Sequence, residues 1–413
     1  MLKKIAVEEL RLGMHLHQLC GPWLDHPFWK TKFVLQDPTD LQKLRASGVR
    51  ELWIDSAKGL DVEPPKPLAA VPAAAQTPVA PPAAVARTAA QREPIAAELQ
   101  RAASLVNQSR EAVSALFAEA RMGRALDAGT CLPLVDEIAS SVWRNPGAFV
   151  SLARLKTHDD YTYMHSMAVC ALMVSLGRQL GLDETEAREV GLAGMLHDMG
   201  KAMMPLEVLN KPGKLTDAEY ETMKAHPQRG WDLLQEGRGV GAATLDVCLH
   251  HHERPDGKGY PHGLSGDALS RVARMGAICD VYDAITSNRA YKAGWDPAES
   301  IAQMAAWTGQ FDAAIFQAFV KSLGIYPVGS LVRMRSGRLA VVMEQNERSL
   351  VTPRVKVFFS TRANLPIPPE VIDLAAPGCS DAIAARESNQ QWKFPHLDEL
   401  WAGAETLRKI GRA

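Results

Sequence analysis

The chain lacks several things that would point to familiar classes. Its six cysteines (Cys20, Cys131, Cys170, Cys248, Cys279, Cys379) are scattered through 413 residues with no C-x-x-C pair. Free thiols in a reducing cytoplasm are the simplest expectation. No uninterrupted apolar run approaches roughly 18 residues, so no segment is expected to span a bilayer. Nor is there an excess of charge of one sign: 46 basic residues face 47 acidic ones, for a formal net charge of −1. Global charge therefore points to neither a nucleic-acid nor a membrane partner, although a small anionic substrate needs only a local basic patch. No secretory leader is expected, because Met1-Leu2-Lys3-Lys4 runs into Glu8 and Glu9 instead of an apolar stretch. What remains is ordinary for a folded soluble protein, with 46% hydrophobic residues and room for two to three domains.

Texture changes along the chain suggest five regions. Residues 1–62 read as a small mixed α/β domain, with strands at Leu10 to Gln18 and Glu51 to Ile54 and a helix at Thr39 to Ala46. Trp23, Phe28, Trp29 and Phe33 either fill its core or serve a sensory or partner-binding role. Residues 63–94 hold Pro64, Pro65, Pro67, Pro72, Pro78, Pro81, Pro82 and Pro94 among many alanines, the composition of an extended linker. Residues 95–130 predict a connecting helix, its apolar face at Leu99, Ala102, Leu105, Val113, Leu116, Phe117 and Ala120. That face could pair with a second copy, transmit a signal, or pack on the next domain.

Residues 131–326 predict helices at Leu132 to Trp143, Tyr163 to Leu180, Glu184 to Leu196, Asp217 to Leu234, Ala242 to His250, Arg271 to Ser287 and Pro297 to Trp307. Asp183 and Thr216 suit helix starts. Residues 327–413 carry short β-type runs at Ser330 to Met334, Leu339 to Glu344 and Val355 to Phe359, expected as a small appended hairpin or meander. The expected fold class is thus mainly α.

The chemistry concentrates in the helical region. His197-Asp198 closes an apolar helical run, followed by Gly200, expected to end the regular structure, and Lys201. His251-His252-Glu253 leads directly into Arg254-Pro255-Asp256-Gly257-Lys258-Gly259-Tyr260-Pro261. His165 and His226 are further isolated histidines, and Asp280 lies on an otherwise apolar helix. A carboxylate there is expensive to bury unless it binds something positive. Any one of these residues is weak evidence, since a lone histidine on an apolar face is most often a satisfied core residue. One His-Asp pair, one His-His pair, two single histidines and a helical aspartate within 116 residues make a metal site the better reading, and that donor set suits borderline divalent metals. Neighbouring His250 reads as a helix-end residue without a ligand role. Gly257 and Gly259 permit tight turning and close approach to a substrate.

These motifs resemble those of the HD-GYP family, metal-dependent phosphodiesterases of bacterial cyclic di-GMP signalling. The resemblance covers roughly residues 131–326 and rests on His197-Asp198-x-Gly200-Lys201, on the His251 to Pro261 stretch, and on Asp280-Val281-Tyr282-Asp283-Ala284 through Arg289-Ala290-Tyr291-Lys292. The first 62 residues resemble a small domain of unknown function often found ahead of such domains. The resemblance implies that His165, His197, Asp198, His226, His251, His252 and Asp280 are metal ligands, with Asp198 bridging. It implies that Lys201 contacts the scissile phosphate, that Arg289 and Lys292 hold the substrate's phosphates, and that Tyr260 lines the site. Glu253 is expected to orient a ligating histidine, the alternative being that it organises the loop through the backbone.

Some family members hold three metals and have a glutamate four residues before the first histidine. Here that position is Tyr161, so the expected cofactor is two divalent ions, iron or manganese first, with nickel, cobalt or zinc as alternatives. Such a pair would generate a nucleophile at neutral pH and clamp the phosphate oxygens. The implied activity is hydrolysis of cyclic di-GMP to pGpG, with further cleavage to GMP left open. The alternatives are another cyclic dinucleotide, such as hybrid cyclic GMP-AMP, or a catalytically silent sensor or protein-docking module. Diguanylate cyclase (GGDEF) domains are the implied protein partners.

Overall fold

The computed structural model describes residues 2–19, 33–46, 50–60, 94–155, 161–287, 294–346 and 348–411. The proline-rich stretch, Trp23, Phe28, Trp29, Arg289 and Lys292 lie outside them. The chain divides into two compact units, residues 1–86 and 87–413.

In the first unit, β1 (Leu2–Ala6), β2 (His15–Leu19), β3 (Phe33–Val34) and β4 (Glu51–Asp55) form an antiparallel sheet in the order β1-β4-β2-β3. Helix α1 (Pro38–Ala46) joins it, and Leu10, Met14, Leu16, Leu35, Leu44, Leu52 and Ile54 are buried together. Strand β1 was not expected. Its Lys3 and Lys4 dilute the apolar signal, and pairing with β4 supplies what local propensity does not.

The second unit is a helical body carrying a sheet. Helix α2 (Ile95–Arg121) buries Leu99, Ala102, Leu105, Val113, Leu116 and Ala120, packing on α3 (Leu132–Arg144), α4 (Pro146–Ala153) and α5 (Tyr161–Gln179). The apolar stripe of the connecting helix is therefore covered within the same chain. Its first turn also presents Glu98, fully buried, to a bidentate pair of bonds from Arg144 at 2.8 and 2.9 Å. Burial works to raise the Glu98 pKa, but Arg144 and Arg101 outweigh it and hold the carboxyl below its ordinary 4.5. The stability this pair contributes is fully present above that value and is lost as pH falls through the lower folded one. Glu98→Gln is expected to cost about 1–3 kcal/mol near neutrality and to flatten the acid limb of a stability-against-pH curve, read by denaturant titration.

Helix α5 is apolar all round and buried along most of its length, which makes it the central helix of the body. Against it pack α6 (Glu184–Leu196), α11 (Arg271–Thr286) and α13 (Ala313–Leu323). Between them come α7 (Leu206–Leu209), α8 (Asp217–Met223), α9 (His226–Gln235), α10 (Ala242–His250) and α12 (Pro297–Ala306). Asp183 and Thr216 do cap their helices, each in a reciprocal capping box with the glutamate three residues on. The helical stretch from Asp217 to Leu234 is two helices, with the interruption where His226-Pro227 suggested it. Pro227 has no N–H to continue the first, so the chain restarts at His226 with proline in the first turn.

Strands β5 (Leu331–Met334), β6 (Arg338–Asn346), β7 (Ser349–Ser360), β8 (Leu365–Asp373) and β9 (Ile383–Arg386) form an antiparallel sheet in the order β8-β7-β6-β5-β9. This is larger than a hairpin or meander, and it belongs to the same compact unit as the helices. Three short helices, α14 (Asn389–Trp392), α15 (Leu397–Ala402) and α16 (Ala404–Lys409), follow. Among the described residues the cysteines are free, and Cys131, Cys170, Cys248 and Cys279 are buried. No helix of the described residues is long and apolar enough to cross a membrane.

Candidate metal centre

Five segments of the helical body converge on one point. His165 lies in the first turns of α5, His197 caps the end of α6, Asp198 follows it, and His226 opens α9. His251 and His252 follow α10, and Asp280 lies within α11. Glycines permit the convergence. A side chain at Gly194 would sit 2.9 Å from the Val169 carbonyl, so its absence lets α6 press onto α5. Gly200 is tighter still, because a Cβ there would lie 1.8 Å from the His226 carbonyl oxygen and 2.5 Å from the Gly230 nitrogen. Gly200 does not end the regular structure, as its sequence suggested. It sits in a 3-10 turn, Met199–Met203, that lies directly on the first turn of α9.

The ligand atoms form two groups that share one carboxylate. Oδ2 of Asp198 is 3.2 Å from His165 Nε2 and 3.3 Å from His197 Nε2. Oδ1 of Asp198 is 3.3 Å from His226 Nε2 and 3.7 Å from His251 Nε2. Asp280 closes the first group, with Oδ1 3.1 Å from His165 Nε2, and turns Oδ2 toward His252 Nδ1 at 3.8 Å. All but two of these side chains are at most 3% exposed, the exceptions being Asp280 at 8% and His252 at 22%. The centre therefore opens to solvent on the His252 side.

The far ring nitrogens fix which way the near ones point. Nδ1 of His197 donates to the Gly194 carbonyl at 2.8 Å, that of His226 to Met223 at 2.7 Å, and that of His251 to Val247 and Cys248 at 3.0 Å. A carbonyl can only accept, so Nδ1 carries the proton and each ring turns its Nε2 inward. Nε2 of His165 and of His197 then face each other at 3.2 Å, and those of His226 and His251 at 3.3 Å. Ring nitrogens facing each other in this way need a proton or a metal cation between them. Asp198 Oδ1 is likewise buried without a hydrogen-bond donor. The donor set of imidazoles and carboxylates thus fits divalent metal on both sides of Asp198.

Charge agrees with this reading. Burial pushes the pKa values of His251 and His252 down, the latter to about 3, which keeps both neutral and able to ligate. Burial works to raise Asp198, but the Lys201 ammonium and then His197 hold its carboxyl well below the usual range. Burial also opposes charge on His165, yet Asp198, Asp280 and Asp283 lift it to about 10. In the protein alone His165 holds a proton against three carboxylates, a proton that metal binding displaces.

Lys201 pairs with Asp198 Oδ2 and is 23% exposed, so it stands at the open side of the centre. Tyr260 stacks on His252 with ring centroids 4.7 Å apart. His250 bonds Asp246 at 2.7 Å and takes no place in the cluster. Glu253 is a correction. Its carboxylate accepts from the backbone N–H groups of His262 at 2.6 Å and Leu264 at 3.1 Å, so it shapes the loop and touches no ligating histidine. Gly257, at φ +74°, does make the turn. Gly259 serves the loop's packing on itself, since a Cβ there would lie 2.4 Å from Glu253 Cα. Arg289, Lys292 and the Tyr161 side chain lie outside the described residues.

Sequence reasoning missed Asp283. Its Oδ2 accepts from His165 Nδ1 at 2.6 Å, one helical turn after Asp280. The signal was a second carboxylate three residues along a buried helix. Asp283→Ala is expected to cost about 10–100-fold in metal affinity, measured by metal titration, because the His165 ring loses its anchor.

Residues 145–315 match the family model described as HD domain, and residues 2–131 match a domain of unknown function (DUF3391). The site and the helical body are those of an HD-domain protein that uses divalent metal. Cyclic di-GMP phosphodiesterase PA4108 of Pseudomonas aeruginosa is 55% identical over 98% of this chain and 96% of its own. The cyclic di-GMP phosphodiesterase response regulator RpfG of Xanthomonas campestris is 44% identical over 41% of this chain and 47% of its own. The 3'3'-cGAMP-specific phosphodiesterase 1 of Vibrio cholerae is 35% identical over 40% of this chain and 38% of its own. The chain belongs to the HD-GYP family.

Proposed function

We propose that this protein is a metal-dependent phosphodiesterase that hydrolyses cyclic di-GMP to linear pGpG, with cleavage on to GMP as a slower second step. The carrying observation is the single Asp198 carboxylate whose two oxygens face two separate histidine groups. The near full-length likeness to the Pseudomonas aeruginosa enzyme supports the substrate. In this reading His165, His197, Asp280 and Asp198 would hold one ion, and His226, His251, His252 and Asp198 would hold the other. The ions are iron or manganese, and Tyr161 at the position of a third-metal glutamate supports a count of two. When bound, they supply Lewis acidity that makes water nucleophilic at neutral pH.

The chain's own residues do the rest. Asp198 fixes the spacing of the two ligand groups. Lys201 offsets the negative charge that builds on the phosphate oxygens as water's oxygen bonds to phosphorus and the bond to the ribose oxygen breaks. That ribose oxygen takes up a proton and leaves as a hydroxyl. Tyr260 walls the open side against His252. Arg289 and Lys292 hold the substrate's phosphates. Contacts with diguanylate cyclase domains, a cytoplasmic setting, and pairing of two copies along α2 outside its covered stripe belong to the same proposal.

Anaerobic purification, metal analysis and chromatography of the products from cyclic di-GMP and from 3'3'-cGAMP test it together. The expected result is metal-loaded protein that yields pGpG. Metal-loaded protein that leaves cyclic di-GMP intact would mark a silent sensor, and preferential cleavage of the hybrid dinucleotide would overturn the substrate.

A further inference from the structure

A second cavity, of about 310 Å³, lies away from the metal centre, between the helical body and the C-terminal sheet. Arg154, Arg178, Ser175, Tyr282, Lys321 and Asn346 line it, and no Asp or Glu is among its described lining residues. Three cations around one cavity without a carboxylate make a strongly positive enclosure.

The charges are held in place. Arg154 is only 8% exposed and makes no ion pair among the described residues. Its Nη1 donates to the Val328 carbonyl at 3.2 Å, and its guanidinium lies 5.9 Å over the Trp401 ring. Gly329, at φ +86°, makes room for it, since a Cβ there would sit 2.4 Å from Nη2. Asp296, the acid whose field reaches Arg154, has its oxygens bonded to the backbone N–H groups of Ala298, Glu299 and Leu331. Arg178 stacks over Trp143 at 4.6 Å and donates to the Trp143 carbonyl at 3.2 Å, which fixes its direction. Ser175 is 3% exposed and lies in the lining beside them. A buried guanidinium that makes no ion pair is costly, and an anion with several acceptor oxygens satisfies it.

We propose that this cavity is a second ligand site, which binds a phosphate monoester of mononucleotide size. The guanidinium fork matches phosphate oxygens, a dianion answers three cations, and the volume is at the small end of ligand pockets, about 300–1,000 Å³. The site is also wired to the metal centre. Tyr282 stands on α11 between Asp280 and Asp283, and Ser175 and Arg178 stand on α5 with His165. The inference concerns binding and does not depend on which dinucleotide the centre cleaves.

The test is isothermal titration of metal-loaded protein with GMP. Two classes of site are expected in the wild type, one at the metal centre and one in the cavity. Lys321→Glu should abolish the second class, and Asn346→Asp should weaken it about tenfold by opposing the anion with like charge. Both variants should cleave the dinucleotide substrate within about twofold of wild type, which also reports that they fold. A single class of site in the wild type, or isotherms unchanged in both variants, would overturn the proposal.

Discussion

Asp198→Ala abolishes turnover of cyclic di-GMP, a loss of at least about a thousandfold, even with metal in excess. Removing one preorganised electrostatic group commonly costs about 10²–10³ in rate. Asp198 is worth more because both ligand groups depend on it. Its Oδ2 faces His165 and His197 while its Oδ1 faces His226 and His251, so one truncation strips an oxygen from each. Metal analysis should therefore fall on both sides of the centre. Asp198→Asn keeps the shape but loses the charge that Lys201 balances, and it should bind less metal than wild type and remain inactive. Retention of wild-type turnover by either variant would refute the bridging role.

Gly200→Ala produces the largest loss of stability expected of a methyl group added at any described glycine. The added carbon would meet the His226 carbonyl oxygen at 1.8 Å and the Gly230 nitrogen at 2.5 Å, and both belong to backbone that cannot rotate away. The 3-10 turn must lift off α9, which displaces His226 from the centre. The expected cost exceeds about 4 kcal/mol, in the range reserved for gross steric or burial defects. It should appear as a large drop in Tm or as insoluble protein. Gly241→Ala is the matched control, because Gly241 has an ordinary φ of −81° and nothing within 4 Å of where a Cβ would stand. It should cost no more than about 1 kcal/mol. Equal Tm values for the two variants would refute the close-approach argument.

The candidate site was legible because its chemistry is dense in sequence. His197-Asp198 and His251-His252 are adjacent pairs, and His165, His226 and Asp280 stand out against apolar helices. Helices with clean periodicity and caps, such as Glu184–Leu196 and Ala242–His250, appear with the expected bounds. Other elements were hidden for identifiable reasons. Strand β8 contains Pro366, Pro368 and Pro369, which argue against a strand, and it survives only because it lies at the sheet's edge. Helix α4 is short and apolar, so periodicity says little about it. Helix α13 was missed although Asp312 caps it and Ile315, Phe316, Phe319, Val320 and Leu323 share one face. For Glu253 the residue pattern left two roles open, and choosing the loop role depends on where the loop's own N–H groups point. Asp283 was quoted within a motif, yet its bond to His165 spans 118 residues and becomes visible only once α5 and α11 are packed together.

The buried cysteines have a consequence for handling the protein. Cys248 lies beneath Gly230 in the layer behind His226, while Cys170 and Cys279 sit inside α5 and α11, and burial pushes all three thiols above their ordinary pKa. The reactive species is the thiolate, and these sulfurs yield almost none at neutral pH. Peroxide or air that inactivates this protein is therefore expected to act elsewhere before it acts on these three thiols. Inactivation by oxidant is expected to leave the count of these three thiols unchanged, so a thiol assay on the folded chain reports its packing and not its activity.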